Sequence, residues 1–434
     1  MLVALALAVS AHAQPAPGPR TLTVVRAGSE RGIVTLAQPG AACMAARCTY
    51  VLPAGTRVTL TAEAFLGGAF SGWGDTPGCG GIGACVVDLA RDVTVTALFT
   101  GGPNVSFLSA AVVPAALGGV VAADAVCQAE ARAAGLPGSY LAWLSTSTVD
   151  APARLAGARG WVRPDGKPFA DRVEDIVASR VYYPLRVDAW GRDLADGVSV
   201  LEAWTGTDRR GARGRDRTCG DWTRTALGES ALGGAGTASA AWFSDAYTLT
   251  CDRRARLYCF GVGAVGEVVP RFERGRLAFA TRLEFRPGGG IEAADRTCND
   301  DARVAGWRGR FRALLATTTA SAASRFDPGG ARWVGVDGVP ITARGDSLFA
   351  AVPFVLPPQR DAYGALVGGP VWTGARSLRD AGTRVETCDD WRGTTGAVGR
   401  GGSSTFSTAP YYLQDVSQRC DGSAQKLGIV CLEE

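Results

Sequence analysis

The chain has 434 residues, of which 47% are hydrophobic and 20% charged, and its net charge is +4. This composition is typical of a folded protein of about three domains, and it excludes a strongly basic nucleic-acid-binding protein. The only histidine, His12, lies in the N-terminal apolar segment. A mature chain without it has no Ser/His/Asp triad, no Cys/His dyad and no histidine-ligated metal.

The N-terminal residues have the pattern of a secretory signal. An apolar run from Leu2 to Val9 precedes the small-residue segment Ala-His-Ala at 11–13, although no Lys or Arg comes before the run. We therefore expect residues 1–13 to be removed and the protein to be secreted or exposed on a bacterial cell surface. No later apolar stretch is long enough for a transmembrane helix. Residues 14–20, QPAPGPR, form a Pro-rich spacer.

Residues 21–100 have the pattern of a small β-rich domain. Apolar and polar residues alternate over Thr21–Val25, Thr56–Ala62 and Asp92–Phe99, with many β-branched side chains, which predicts half-buried strands. Phe70 and Trp73 lie between glycines and are expected in the core of this domain.

The segments AGTRVTLTA, FSGW and VTVTALF resemble the divergent internalin-B-type repeat of bacterial surface proteins. The resemblance covers about 80 residues and implies a spacer or adhesion module without catalytic activity. It also implies two short-range disulfides within the domain, Cys43–Cys48 and Cys79–Cys85.

The chain contains twelve cysteines, an even number that predicts disulfides in an exported protein. A competing interpretation is a four-thiolate zinc site, built from Cys43, Cys48, Cys79 and Cys85.

The cysteine spacing predicts a duplicated domain. From Cys127 the next cysteines follow after 92 and 32 residues, and from Cys298 they follow after 90 and 32 residues. The segments between them also recur, such as Trp-Thr-Gly before a cysteine and Asp-Trp shortly after it. We therefore expect two copies of one domain at 104–262 and 270–434, the second diverged.

In the first copy, Ala123–Ala134 predicts a helix that ends at Gly135, where a left-handed C-cap is expected. Tyr140–Leu144 and Leu201–Thr207 predict strands. The chain over Asp165–Val200 is expected to be largely irregular.

The segments GGVVAADAVCQAEARAAGLPGSYLAWLS, WTGT, CGDWT and LYCF resemble an uncharacterised bacterial extracellular domain family related to the C-type-lectin-like and endostatin-like fold. The resemblance implies an α+β protein in which the β-rich repeat precedes two tandem, disulfide-stapled C-type-lectin-like domains. It also implies nested disulfides within each copy: Cys127–Cys259 with Cys219–Cys251, and Cys298–Cys431 with Cys388–Cys420.

One segment of the first copy, residues 208–217, is rich in arginine. Arginine forks bind sulfate, phosphate and carboxylate, so these side chains and the nearby Trp222 are candidates for binding an acidic polysaccharide: Arg209, Arg210, Arg213, Arg215 and Arg217. The alternatives are a solvated, flexible loop and a buried Trp222 beside a hydrogen-bonded Asp221. The matching segment of the second copy, Arg376 to Glu386, has only three arginines.

We expect no metal and no cofactor. A calcium site needs about six to eight oxygen ligands, and the sequence has neither the Glu-Pro-Asn or Gln-Pro-Asp loop of calcium-dependent lectins nor an acidic cluster with suitable spacing. The segment Arg344-Gly345-Asp346-Ser347 matches an integrin-binding tetrapeptide, which is a weak signal in a chain so rich in Arg and Gly.

The sequence therefore predicts a secreted or surface-exposed bacterial binding protein of the adhesion type, without enzymatic activity, that recognises an extracellular glycan or protein. One alternative is a structural surface or matrix component without a specific ligand. Another is a hydrolase that uses paired carboxylates, whose separation a sequence does not reveal.

Overall fold

The computed structural model describes residues 18–28, 32–64, 69–74, 76, 78–100, 102–136, 138–178, 180–195, 201–225, 229–235, 243–350, 352–367, 369–394, 396–407, 416–423 and 427–434. The expected signal peptide and most of the Pro-rich spacer lie outside these ranges. The chain divides into two compact units, Met1–Gly102 and Pro103–Glu434.

The described part of the first unit consists of two four-stranded sheets, with the strand orders β4-β1-β8-β6 and β3-β2-β5-β7. The strands are β1 (Arg20–Gly28), β2 (Gly32–Leu36), β3 (Ala41–Cys43), β4 (Arg47–Leu52), β5 (Arg57–Ala64), β6 (Ala69–Trp73), β7 (Cys85–Asp88) and β8 (Val93–Thr100). The three strands predicted from alternation correspond to β1, β5 and β8.

The core of the first unit lies between these two sheets. Buried residues of one cluster come from both, with Leu22 and Val95 from the first sheet and Val34 and Leu60 from the second. Trp73 belongs to the same cluster, is 6% exposed and donates its indole N–H to the carbonyl oxygen of Gly83 at 2.7 Å. The strand alternation seen in the sequence is therefore the alternation between core and solvent.

The second unit begins with the first predicted copy. Its elements are β9 (Asn104–Leu108), β10 (Val113–Pro114), α1 (Val120–Ala133), β11 (Tyr140–Ala142), α2 (Ala151–Arg154), β12 (Trp161–Val162), β13 (Pro168–Ala170), α3 (Val173–Val177), β14 (Glu202–Trp204), α4 (Cys219–Trp222), β15 (Ser230–Ala235), β16 (Tyr247–Thr250) and β17 (Arg254–Gly261).

The second predicted copy has β18 (Arg276–Ala280), α5 (Gly290–Val304), β19 (Phe311–Ala313), β20 (Trp333–Gly335), β21 (Pro370–Trp372), α6 (Cys388–Trp391), β22 (Val398–Ser403), β23 (Val416–Arg419) and β24 (Val430–Glu433). Two short 3-10 helices, Ala323–Arg325 and Gly345–Phe349, lie between β19 and β21.

The two copies share one strand arrangement. In the first, β9 pairs antiparallel with β17 and parallel with β12, and β11 also pairs with β17. In the second, β18 pairs antiparallel with β24 and parallel with β20, and β19 also pairs with β24. They differ in one respect. In the first copy, β14 joins β15 and β16 to the sheet that contains β9 and β17, whereas in the second copy β21, β22 and β23 form a separate sheet.

This strand-rich mixture of sheets and helices has the predicted α+β class. Helix α1 begins three residues before the predicted start, and the residue after its C-cap, Gly135, has φ 73° as a left-handed C-terminus requires. The segment expected to be irregular holds only β13 and α3 among its described residues. The lectin-like assignment of the two copies stays a prediction.

The twelve cysteines form six disulfides, and the chain has no free cysteine. These are the pairs that the resemblances imply: Cys43–Cys48, Cys79–Cys85, Cys127–Cys259, Cys219–Cys251, Cys298–Cys431 and Cys388–Cys420. The sulfurs of the first four cysteines are bonded to one another, so they are not zinc ligands. In the first copy, Cys127–Cys259 joins α1 to β17. In the second copy, Cys298–Cys431 joins α5 to β24.

A segment of the first copy packs into the second. Tyr183 is 5% exposed, lies in the hydrophobic cluster that holds Trp333, and donates its hydroxyl to the carbonyl oxygen of Pro340 at 3.3 Å. Arg186, 2% exposed, donates to the carbonyl oxygen of Phe354 at 3.0 Å and to Ser407 Oγ at 2.8 Å. The two copies therefore share buried contacts and form one compact unit.

Candidate functional site

The arginine-rich segment begins with a tight turn. Asp208 Oδ1 accepts the backbone N–H of Arg210 at 2.8 Å and that of Ala212 at 2.9 Å, and Asp208 N–H donates to the carbonyl oxygen of Ala212 at 2.8 Å. Gly211 has φ 80°, which favours a residue without a Cβ. Asp208 and Gly211 thus fix the backbone that presents Arg209 and Arg210.

All five candidate arginines are exposed, and three of them have partners. Arg213 lies 3.2 Å from Asp150 Oδ1, Arg209 Nε lies 3.9 Å from Asp245 Oδ2, and Arg217 donates to Thr248 Oγ1 at 3.0 Å. Exposed pairs of this kind contribute at most about 1 kcal/mol each. They restrain these three guanidinium groups without burying them.

The guanidinium groups of Arg210 and Arg215 have no partner within the described ranges, so both are available to bind an acidic group. Four carboxylates, those of Asp150, Asp208, Asp216 and Asp245, belong to the loop or its immediate partners and offset four of the five arginine charges. The local excess of positive charge is therefore small, and any anion must be bound through the geometry of the two unpaired forks.

Directly after the loop comes α4, Cys219–Trp222, which is a single left-handed turn and not a right-handed helix. The four residues have φ between 48° and 66°, a conformation that costs roughly 1–2 kcal/mol for each residue with a Cβ. The Thr218 side chain accepts the N–H of Asp221 at 3.2 Å, and the disulfide from Cys219 to Cys251 anchors the start of the turn.

The carboxylate of Asp221 ties this turn to the chain after β11. It accepts the backbone N–H and the hydroxyl of Ser147, both at 2.6 Å, and the hydroxyl of Thr218 at 3.0 Å. Partial burial disfavours the charged carboxylate, but these hydrogen bonds outweigh that effect and lower the pKa of Asp221. Asp221 is therefore a structural anion that crosslinks two loops.

The same turn recurs in the second copy at Cys388–Trp391, with φ between 50° and 66° and no glycine among its residues. Asp390 accepts the N–H and hydroxyl of Thr318, both at 2.7 Å, and Thr387 accepts the N–H of Asp390 at 3.1 Å. Since both copies have this strained turn with the same contacts, it belongs to the scaffold of the fold.

Trp222 is buried beside Gly206, two residues before the loop. Its side chain is 0% exposed, and its indole N–H donates to the carbonyl oxygen of Ser145 at 2.9 Å. Trp391 does the same toward Ala316 at 2.8 Å. Trp222 therefore has no surface for a ligand, and this removes it from the candidate contact residues; the alternative interpretation, a buried Trp beside a hydrogen-bonded Asp, describes the geometry.

The Arg344–Ser347 tetrapeptide is folded onto itself. It lies at the start of the 3-10 helix Gly345–Phe349, and Arg344 Nε lies 3.1 Å from Asp346 Oδ1. Gly345 is buried against the backbone of Gly330. The arginine and the aspartate are paired at the surface, and their side chains are 80% and 51% exposed.

The described part of the second unit has four exposed aromatic residues that were not among the candidates from the sequence: Trp190, Phe272, Phe349 and Tyr363. Two of them lie in the same kind of segment. Trp190 is 47% exposed and Tyr363 is 55% exposed, each in an Asp-Ala-aromatic-Gly segment. The recurrence of this short segment in both copies is the sequence signal that could have revealed them.

Within the described ranges, no three or more His, Cys, Asp or Glu side chains are placed to hold a metal ion. No helix in the same ranges has the length and apolar character to cross a membrane. The sequence matches no known protein family and no curated protein.

Proposed function

We propose that the protein is a secreted or surface-exposed bacterial binding protein whose second unit presents loops to an extracellular ligand, without catalysing a reaction. The observation that carries this proposal is the arginine loop, in which Asp208 and Gly211 fix the backbone of the turn while the exposed Arg210 and Arg215 have no partner among the described residues. Rigid scaffolds that hold exposed loops are the usual architecture of binding proteins.

The disulfides support an extracellular location. Six disulfides form and persist in an oxidising compartment, and they are rare in the cytosol. The resemblance of the two copies to the C-type-lectin-like fold agrees with a recognition function, and the first unit then serves as a β-rich spacer or adhesion module.

The chemistry of the loop favours an acidic polymer as ligand, such as a sulfated or carboxylated polysaccharide or an acidic protein surface. A guanidinium fork pairs with sulfate or carboxylate through two parallel hydrogen bonds. Because four carboxylates offset most of the loop charge, we expect modest affinity that depends on Arg210 and Arg215 specifically.

The test is retention of the full chain on an immobilised sulfated polysaccharide during a salt gradient. The double variant Arg210→Gln, Arg215→Gln keeps the apolar stems and removes two charges. The control variant Arg132→Gln, Arg296→Gln removes the same charge from exposed positions on α1 and α5.

We expect the loop variant to elute at clearly lower salt than the control, because the other three arginines of the loop already have partners. Salt elutes the protein because it screens exposed charges beyond about 8–10 Å. Equal elution of the two variants would show that binding follows net charge alone. No retention of the parent would favour the structural-component alternative.

A further inference from the structure

Three five-residue loops in the described part of the second unit share the pattern Asp-x-x-Gly-x and one hydrogen-bond arrangement: Asp188–Arg192, Asp208–Ala212 and Asp361–Ala365. In each, Oδ1 of the aspartate accepts the backbone N–H of the third and fifth residues at 2.8–3.0 Å. The fourth residue is a glycine with φ between 80° and 85°.

This geometry leaves the third side chain free. The loop uses only the backbone N–H of that residue. The aspartate that accepts it is buried in the two aromatic loops, where Asp188 is 0% and Asp361 is 1% exposed. The third residue is Arg210 in one loop, Trp190 in another and Tyr363 in the last. Because an arginine fits the same position, the loop does not require an aromatic ring there.

The two aromatic loops occupy equivalent positions in the two copies. The residue before each loop accepts a hydrogen bond from the end of the central strand: Val187 from Leu108 at 2.9 Å, and Arg360 from Ala280 at 2.8 Å. Both copies therefore display an exposed ring at one site of the fold, although no core packing requires it.

The surroundings of Trp190 are polar. The Arg192 guanidinium lies over the ring, 5.1 Å from its centroid, and donates through Nε to Asp188 Oδ2 at 2.7 Å. A Cβ at Gly191 would lie 3.7 Å from the backbone nitrogen of Asp165, which places the turn that carries Lys167 beside this loop. The ring is thus a single exposed aromatic surface beside one charged group, Arg192.

We propose that Trp190 and Tyr363 are stacking sites for the pyranose rings of an extracellular polysaccharide, one in each copy. The proposal rests on the proposed binding function and names its ligand class. The C–H face of a pyranose ring carries partial positive charge and complements the negative face of an aromatic ring. A Trp or Tyr side chain has only two χ angles and offers this contact at low conformational-entropy cost. A protein partner would need a wider apolar surface than one ring with the Arg192 guanidinium over it.

The test is affinity electrophoresis of the full chain in gels that contain dextran, alginate, hyaluronan, polygalacturonate or dextran sulfate. A gel with polyvinyl sulfate, a polyanion without sugar rings, measures binding by charge alone. The variants are Trp190→Ala with Tyr363→Ala, and the conservative pair Trp190→Phe with Tyr363→Phe, which keeps both rings. Melting temperatures check folding, and we expect them to stay unchanged because both rings are exposed.

We expect retardation of the parent by at least one polysaccharide, with about tenfold weaker binding of the alanine pair and near-parent binding of the phenylalanine pair. In polyvinyl sulfate, parent and variants should migrate alike. Equal retardation of parent and alanine pair in every polysaccharide gel, or no retardation in any of them, would overturn the stacking sites. The proposed binding function is tested separately with the Arg210→Gln, Arg215→Gln variant. If polyvinyl sulfate retards the parent more than this variant, that function stands even where the stacking sites fail.

Discussion

The glycine of the Trp-Thr-Gly segment determines whether the left-handed turn after the arginine loop can form. Gly206 has φ 58°, and a Cβ there would lie 2.9 Å from Trp222 Cζ2 and 3.1 Å from Thr218 Cγ2. The equivalent Gly374 has φ 78°, and its Cβ would lie 2.7 Å from Trp391 Cζ2. Replacing Gly206 with Ala therefore adds backbone strain and a steric clash with the buried tryptophan.

The two contributions can be separated. A left-handed conformation costs an alanine roughly 1–2 kcal/mol, and overpacking a tight site costs about 1–3 kcal/mol, which together predict a loss of about 2–5 kcal/mol for Gly206→Ala. Gly135 provides the matched control, because it has φ 73° and a Cβ at this position would meet no heavy atom within 4 Å. Gly135→Ala should cost only the backbone contribution.

Thermal unfolding followed by circular dichroism of both variants tests this difference. We expect Gly206→Ala to lower the melting temperature about twice as much as Gly135→Ala, or more, and to weaken polysaccharide retention because Gly206 lies two residues before the loop. Equal losses in the two variants would refute the argument that Trp222 packs against this glycine.

Three further predictions concern the second unit. Arg186→Met should cost about 3–5 kcal/mol and lower the melting temperature, because it leaves Asp193 and the polar atoms of the second copy without the buried guanidinium; an unchanged melting temperature would contradict the shared contact. Asp165 is partly buried, but Arg163 and Lys167 lower its pKa to about 2, so it stabilises the fold above pH 4 and this contribution is lost as the pH falls toward 2. The parent should therefore lose up to about 2 kcal/mol of this group's contribution to the free energy of unfolding between pH 4 and 2. In Asp165→Asn, the melting temperature should fall less over the same pH range. EDTA should leave the melting temperature unchanged, and a large drop would reveal a metal site.

Local sequence signals predicted those regular elements that depend on local chemistry, and not the other strands of either unit. Alternating apolar residues mark β1, β5 and β8, whose alternate side chains reach the core of the first unit. The C-terminus of α1 follows from Gly135 alone. Cysteine spacing predicted the duplication because the two copies place equivalent cysteines on equivalent elements.

The left-handed turns could not be predicted in this way. Asp tolerates positive φ at a single position, but local preference opposes four successive residues in this conformation, as in Cys388-Asp-Asp-Trp391. The turn exists because contacts distant in sequence outweigh its strain, among them Asp390 with Thr318 and Cys388 with Cys420. The burial of Tyr183 could not be predicted from local sequence either, because it depends on contacts with residues of the second copy that are distant in sequence.

The Asp-x-x-Gly-x loops separate what the fold requires from what it leaves open. The aspartate is required for the hydrogen bonds and the glycine for its positive φ, so both residues have a structural role. The third position is unconstrained, and there the second unit displays a cation at Arg210 and aromatic rings at Trp190 and Tyr363. An acidic polysaccharide offers both an anionic group and a sugar ring, so one ligand class accounts for the residues at all three unconstrained positions.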